Sequence, residues 1–211
     1  MRINKLLIVL ITLLISVVSV AQEQKMSRTE IDFFKKQVQQ EASNTQTIKM
    51  DFVQHKKLSF LTKQIESSGI MYYKAKDMLH WKYTTPYQYS IIFKKGMVHI
   101  NNQGKKNDIS TSSNLVLGKV NKLIVGSVSG NLFDDQEFVI DYYKDKQYNI
   151  VYFVPKDKQL KEVIEKIELY FPTDKYHVVQ VQLKESSGDY TKIIFKNRKT
   201  NVVLSESDFT N

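Results

Sequence analysis

The stretch that decides the fold is Leu79-His80-Trp81-Lys82-Tyr83-Thr84-Thr85-Pro86, in which apolar and polar side chains alternate as far as Tyr83. A period of two is typical of a β-strand with one face buried and the other in water. Leu79, Trp81 and Tyr83 therefore share one face, and the polar residues between them share the other. Pro86 ends the strand because proline has no N–H to donate to a neighbouring strand.

Segments with the same period lie on both sides of this strand. In residues 48–53, Met50 and Phe52 alternate with charged side chains, and residues 67–74 form the next strand. Short links such as the turn at Gly96 leave no room for a crossover helix, so neighbouring strands must run antiparallel. The other predicted strands are 87–94, 97–101, 138–143, 148–154, 163–171, 177–184 and 191–197, with 201–204 as an optional eleventh.

A helix is predicted to precede the strands. Ser27-Arg28-Thr29-Glu30 is a capping box, in which the serine oxygen accepts the amide of Glu30 and the glutamate reaches back to the cap. Behind it, Ile31, Phe34, Val38 and Ala42 recur at helical spacing and form one apolar stripe. The stripe indicates a helix that packs one face against another element.

Residues 112–133 break the strand pattern. Their apolar residues recur at helical spacing on more than one side, and three glycines interrupt them. Such a segment has to be buried or to cover an apolar surface. We predict one or two short helices that cover the sheet, and the candidate covering residues, which become the lid residues if the segment is a lid, are Leu115, Val116, Val120, Leu123, Ile124 and Val128.

The composition excludes several protein classes. The 211 residues include no cysteine, so thiol enzymes, iron–sulfur proteins and Cys-type zinc sites are excluded. Apolar residues make up 42% and aromatic residues 11%, which is too much for a disordered chain. The length suits one domain with a substantial core.

Catalytic and metal-binding motifs are missing from the sequence. The four histidines, His55, His80, His99 and His177, have no partner at metal-ligand spacing, and the pair at 134–135 is the only adjacent carboxylate pair. That pair predicts a solvated turn rather than an acid–base site. There is also no nucleophile elbow and no phosphate-binding glycine loop. We therefore expect no enzymatic activity, including acyl hydrolysis, and no cofactor or metal.

The N-terminus has the features of an export signal. Arg2 and Lys5 precede an apolar run of about 15 residues, which is short for a membrane span of roughly 20. Small residues at 19 and 21 predict cleavage after Ala21. The expected product is residues 22–211, a single exported domain, although an uncleaved anchor is the alternative interpretation.

The excess of basic residues raises the question of nucleic acid. Lys and Arg number 31 against 22 Asp and Glu, a formal charge of +9. However, only Arg2, Arg28 and Arg198 are arginines, and the lysines are scattered along the chain. We expect no nucleic-acid partner. A solvated surface is the simpler interpretation, and attraction to anionic lipid or acidic partners is the alternative.

A large antiparallel sheet with one helical layer has apolar side chains to spare. Such a sheet curls and can enclose a space beneath its helical cover. An apolar space of this kind would suit an acyl chain, which needs dry area and no catalytic group. The alternative is that the sheet closes completely and its own aromatic rings fill the space.

Several pieces of the sequence follow one another in a definite order. Phe52-Val53-Gln54 and Gly69-Ile70-Met71-Tyr72-Tyr73 precede the W-x-Y-x-x-P block of residues 81–86. Further along come Phe153-Val154-Pro155 and Gly188-Asp189-Tyr190-Thr191. In this order the pieces resemble the LolA-type family of periplasmic outer-membrane lipoprotein carriers, and the resemblance extends over nearly all of the mature chain.

The resemblance implies a mainly β fold with helices: an incomplete antiparallel β-barrel of about 10–11 strands with a helical lid over an apolar cavity. It implies a carrier that takes acylated lipoproteins from an inner-membrane ABC transporter, shields their acyl chains and delivers them to an outer-membrane acceptor. A monomer is expected. The alternative is a related lipid-binding module without lipoprotein transfer, such as a sensor or a carrier of glycolipid or pigment precursors. The predicted cavity residues are Met50, Phe52, Ile70, Tyr72, Leu79, Trp81 and Tyr83.

One position departs from the family pattern. The family often has an arginine six residues before the tryptophan, where it holds the lid closed, and this chain has Ala75 there. The flanking Lys74 and Lys76 are the candidate latch residues, although lysine cannot reproduce the planar fork of arginine. Either a lysine substitutes or the lid closes by packing alone.

Overall fold

The computed structural model of the chain describes residues 23–75, 78–111, 122, 125, 126, 132, 133 and 136–210. The predicted signal peptide, 1–21, lies outside these residues. So do Lys76 and all six predicted lid residues, Leu115, Val116, Val120, Leu123, Ile124 and Val128.

Within the described ranges, twelve strands form one antiparallel sheet. In chain order they are β1 Gln24–Lys25, β2 Thr47–Lys57, β3 Ile65–Lys74, β4 Met78–Thr85, β5 Tyr89–Lys94, β6 Met97–Asn102, β7 Lys105–Ser110, β8 Phe138–Lys144, β9 Tyr148–Pro155, β10 Ile164–Pro172, β11 Gln180–Glu185 and β12 Tyr190–Thr200. Their order in space is β1-β8-β9-β10-β11-β12-β2-β3-β4-β5-β6-β7.

The sheet is open, because β1 and β7 are its two edges and do not pair with each other. This confirms the prediction of an incomplete antiparallel barrel. β1 and β7 were not predicted, and the optional strand at 201–204 lies outside the sheet. The connection from β7 to β8 joins opposite ends of the sheet, since β8 is next to the other edge strand.

Two helices and one 3₁₀ turn accompany the described part of the sheet. They are α1 Arg28–Ser43, α2 Lys158–Val163 and the 3₁₀ helix Glu206–Phe209. The capping box at the start of α1 is confirmed: the Ser27 hydroxyl accepts the Glu30 amide, and the Ser27 amide donates to the Glu30 carboxylate at 2.9 Å. The strand predicted to begin at Val163 begins one residue later, because Val163 ends α2.

The described residues form a core of two apolar clusters. In the first, Phe34 and Val38 of α1 are buried against side chains of β8–β10, including Phe171 at 5.0 Å between ring centroids. The second joins β2–β6 around Met71, Leu79 and Trp81. We call the face of the sheet that carries these clusters the inner face and the opposite one the outer face.

The connection between β7 and β8 contacts both clusters. Lys122, Val125 and Gly126 are helical, as predicted for this segment. Val125 is buried in the second cluster, and Leu132 is buried in the first. The described residues of the connection therefore lie across the inner face.

Candidate functional site

A cavity of about 120 Å³ lies between α1 and the inner face of the sheet. Val38, Glu41 and Ala42 line it from α1, where their spacing places them on one side of the helix. The apolar lining residues are Val38, Ala42, Ile48, Met50, Met71, Trp81, Ile167, Leu169, Tyr176, Val178, Val181, Leu183, Ile193 and Phe195.

The strand residues reach the cavity by simple alternation. Val181 and Leu183 on β11, and Ile193 and Phe195 on β12, are each two residues apart and so point to the same face. The segment between β10 and β11 adds Tyr176 and Val178. The wall is thus continuous from α1 across β10–β12 to β2–β4.

Five of the seven predicted cavity residues lie together on the inner face. Met50 and Trp81 line the cavity, and Phe52, Leu79 and Tyr83 belong to the apolar cluster beside it. The Phe52 ring is 4.9 Å from the ring of Trp81 and 4.9 Å from that of Tyr83 in edge-to-face geometry. Burial raises the pKa of Tyr83 to about 12, and its hydroxyl donates to Gln54 at 3.0 Å.

The other two predicted cavity residues, Ile70 and Tyr72, are on the outer face, which corrects their assignment. Met71 of β3 lines the cavity, so its neighbours in the strand must point away from it. Tyr72 pairs in register with His80 and faces it at 5.8 Å between ring centroids. The outward placement of His80, opposite to Trp81, was correctly predicted.

The latch prediction for Lys74 is also corrected. Lys74 points to the outer face because it follows the phase of Tyr72, and its Nζ lies 3.4 Å from the Glu206 carboxylate in the C-terminal 3₁₀ helix. Lys94 contacts the same carboxylate at 3.3 Å. These lysines fasten the C-terminal segment to the outer face rather than a lid to the inner one.

The charged residues in the lining form one cluster that was not predicted. Glu41 of α1 accepts a hydrogen bond from His177 Nδ1 at 2.8 Å and lies 3.2 Å from the Arg198 guanidinium, with both contacts on Oε1. The side chains are 20–30% exposed, so the cluster sits at the rim of the cavity. Burial lowers the pKa of His177, and the charge of Arg198 lowers it further.

A β-bulge brings Arg198 to the cavity. Lys196 pairs with Asp51 and Lys199 pairs with Lys49, so β12 has one residue more than β2 over this stretch. Asn197 adopts the left-handed conformation at φ 53°, and its side-chain amide donates to the Asp51 carboxylate at 2.7 Å. Strict alternation from Phe195 would have turned Arg198 outward, which is why the sequence pattern did not reveal it.

The remaining histidines have structural partners. His99 lies 2.9 Å from Asp108, His55 lies 3.5 Å from Glu66, and His80 Nδ1 lies 2.6 Å from the Asp208 carbonyl oxygen. Among the residues that the structure describes, no three His, Asp or Glu side chains are grouped to hold a metal ion. No described helix combines the length and the apolar content needed to cross a bilayer.

The site can hold an apolar chain, but only after opening. Its volume of about 120 Å³ is below the roughly 300–1,000 Å³ of a typical ligand site. Enlargement requires α1 to move away from the sheet, because the strands are fixed by ladder hydrogen bonds and the segment between β10 and β11 is tied to them through Val179. The closed state is held by apolar packing and by the contacts of Glu41.

Comparison with solved structures finds similar folds at low sequence identity. MucB matches with a TM-score of 0.51 and 11% identity, over 88% of this chain and 64% of that chain. A LolA superfamily protein from Nitrosomonas europaea matches with a TM-score of 0.44 and 9% identity, over 85% of this chain and 97% of that chain. Lipoprotein LppX from Mycobacterium tuberculosis matches with a TM-score of 0.46 and 9% identity, over 85% of this chain and 100% of that chain.

Sequence comparison identifies the family. Proteins of curated function give no significant match to this sequence. The model of the family described as outer membrane lipoprotein carrier protein LolA matches residues 43–211, which include β2–β12 and the whole sheet wall of the cavity. The chain therefore belongs to the LolA family.

Proposed function

We propose that the mature protein is a periplasmic carrier that holds the acyl chains of lipoproteins released from the inner membrane and brings them to the outer membrane. An inner-membrane ABC transporter would supply the cargo, and an outer-membrane acceptor would receive it. The proposal includes no catalytic step. The observation that carries it is the apolar cavity between α1 and the sheet, in a chain of the LolA family.

The lining supports binding of hydrocarbon. Apart from the charged cluster at its rim, the wall consists of aliphatic and aromatic side chains and one threonine. Transfer of a 16-carbon chain into such surroundings is worth roughly 12 kcal/mol before the costs of ordering and opening. That gain is available to offset the cost of moving α1 away from the sheet.

The cover supports reversible loading. α1 contributes Val38 and Ala42 to the cavity, and Phe34 packs edge-to-face on Phe171. These contacts are side-chain contacts between a helix and a sheet, so they can be exchanged for contacts with an acyl chain. The sheet itself stays paired while the helix moves.

A cavity-filling substitution tests the proposal. Ala42→Phe places a ring in the space that an acyl chain would enter, whereas Gln40→Phe places the same ring on the exposed side of α1. We expect the first variant to lose about tenfold or more in affinity for a triacylated lipopeptide, because its ring competes with the chain. The second should bind as the unchanged protein does, with thermal unfolding verifying that both are folded.

Equal binding by all three proteins would contradict the cavity as the acyl site. Loss of binding in both variants would also count against it, since the exposed ring does not touch the cavity. The deacylated lipopeptide serves as the ligand control and should not bind. Fluorescence anisotropy of labelled peptides gives the affinities.

A second candidate is a lipid-binding module that does not transfer lipoproteins. It is favoured by the nature of the lining, which recognises hydrocarbon and carries no group specific for a lipoprotein polypeptide. Depletion of the protein in its host separates the two. The carrier proposal requires lipoproteins to accumulate at the inner membrane, and unchanged lipoprotein location would favour the module, whose copurifying lipid can be identified by mass spectrometry.

A further inference from the structure

The two basic groups at the rim of the cavity converge on a single carboxylate oxygen. His177 Nδ1 lies 2.8 Å and the Arg198 guanidinium 3.2 Å from Glu41 Oε1. The two basic groups and the carboxylate belong to different parts of the fold. Glu41 is on α1, while Arg198 is on β12 and His177 is on the segment between β10 and β11.

The basic groups are fixed to the sheet. The bulge in β12 directs Arg198 inward, and Asn197 secures that bulge through its 2.7 Å hydrogen bond to Asp51. The segment with His177 is tied to both neighbouring strands, because Val179 donates to the Tyr170 carbonyl and accepts from the Phe195 amide, each at 2.9 Å. Movement of α1 would therefore remove the carboxylate and leave the basic groups in place.

Loss of Glu41 leaves Arg198 in an unfavourable state. Within the described part of the chain, Glu41 is the one carboxylate within 4 Å of the Arg198 guanidinium, which is 20% exposed. Loss of that partner leaves a partly buried charge without compensation. An anion bound at the same point restores the interaction. Arginine suits this role because its planar fork binds carboxylate and phosphate through two hydrogen bonds.

We propose that the rim formed by Arg198 and His177 is a head-group site for an anionic amphiphile, whose carboxylate or phosphate replaces Glu41 while its chain lies in the cavity. This inference rests on the proposed function, since it requires the cavity to accept an acyl chain. It extends the ligands from lipoproteins, whose acyl chains are attached through neutral ester and amide links, to free anionic amphiphiles. In the closed protein, Glu41 is the internal substitute for that head group.

Three probes with the same chain length separate head group from chain. Palmitate carries a carboxylate, hexadecyl phosphate carries a phosphate, and methyl palmitate is neutral. We expect Arg198→Gln to weaken binding of both anionic probes by about tenfold, because a charge-assisted hydrogen bond is lost. Binding of methyl palmitate should change by less than about twofold, since its ester carries no negative charge and is a weaker acceptor.

Lys199→Gln is the matched control, because it removes a positive charge one residue away on the exposed side of β12. It should leave the affinities for all three probes unchanged. Displacement of a fluorescent hydrophobic dye gives the affinities, and thermal unfolding verifies the fold. If Arg198→Gln lowers the affinity for palmitate more than that for hexadecyl phosphate, carboxylate is the preferred head group. The reverse order identifies phosphate.

Glu41→Gln provides an independent arm in case Arg198→Gln does not fold. It removes the internal carboxylate, so the ratio of palmitate affinity to methyl palmitate affinity should rise. An unchanged ratio in both variants would overturn the head-group site while leaving the cavity intact. If the unchanged protein binds none of the three probes, this inference fails, whereas the proposed function is decided by binding of the triacylated lipopeptide.

Discussion

Phe52 contacts two other aromatic rings on the inner face, those of Trp81 and Tyr83. It is 1% exposed, and its ring lies 4.9 Å from the rings of both Trp81 and Tyr83. We predict that Phe52→Ala lowers the free energy of unfolding by about 3–5 kcal/mol, because it leaves a cavity and removes two edge-to-face contacts. Urea denaturation at neutral pH measures the change.

Phe60→Ala is the control for this prediction. Phe60 is 78% exposed in the turn between β2 and β3, so the same truncation there should change the free energy of unfolding by less than about 0.5 kcal/mol. Comparable losses in the two variants would show that Phe52 is not the centre of the core. The comparison holds the side-chain chemistry constant and varies only the burial.

Single residues also mark the limit of prediction from sequence. Trp81 could be placed correctly because polar residues separate it from its apolar neighbours. Ile70 and Tyr72 could not, because residues 69–73 contain no charged side chain to mark the outer face, so the phase of the strand cannot be read from them. The inward direction of Arg198 results from a β-bulge, and no pattern in the sequence predicts that bulge.

At the scale of elements, α1 depends on its first turn. The Ser27 amide and hydroxyl donate to the Glu30 carboxylate at 2.9 and 2.8 Å, and Lys144 of β8 forms an ion pair with the same side chain. The Lys144 contact, followed by the bonds from Ser27, lowers the pKa of Glu30 from 4.5 to about 2. The start of α1 is thereby joined to the sheet.

This pairing predicts a pH dependence. Because the folded-state pKa of Glu30 is lowered, its contribution to stability is present above pH 4.5 and is lost as the pH falls towards 2. The loss of stability caused by Glu30→Gln should therefore be larger at pH 7 than at pH 3. Urea denaturation of both proteins at the two pH values measures it.

Lys144→Met tests the assigned cause. Lys144 is the largest contributor to the low pKa of Glu30, so in this background the pH dependence of the Glu30→Gln effect should shrink. An effect of the same size at pH 7 and pH 3 in the original background would contradict the assignment. The helix itself should still form in these variants, because the Ser27 hydroxyl accepts the backbone amide of residue 30 whatever the charge of that side chain.

The helices and strands differ in how well they can be predicted from the sequence. The capping box and apolar stripe predicted α1, and alternation predicted β2–β6 and β8–β12. β7 has the sequence Lys-Lys-Asn-Asp-Ile-Ser and is mostly exposed, so no apolar face marks it. β1 has two residues and pairs with β8, a contact distant in sequence.

At the scale of the whole molecule, the open sheet and the cavity belong together. The sheet order places β2–β4 beside β10–β12, so strands from both halves of the chain supply one continuous wall. α1 covers that wall with Val38, Glu41 and Ala42. The fold class and the cavity could be predicted from alternation and the family resemblance, whereas the charged rim required three distant segments to meet.

The most direct measurement uses Trp81, the single tryptophan of the chain, which lies in the cavity wall and is 5% exposed. A triacylated lipopeptide with brominated acyl chains should quench its fluorescence saturably, because bromine quenches tryptophan only at contact. The unbrominated lipopeptide should bind with the same affinity and without that quenching. Saturable binding of the brominated lipopeptide that leaves Trp81 fluorescence unchanged would contradict the claim that the cavity holds the acyl chains.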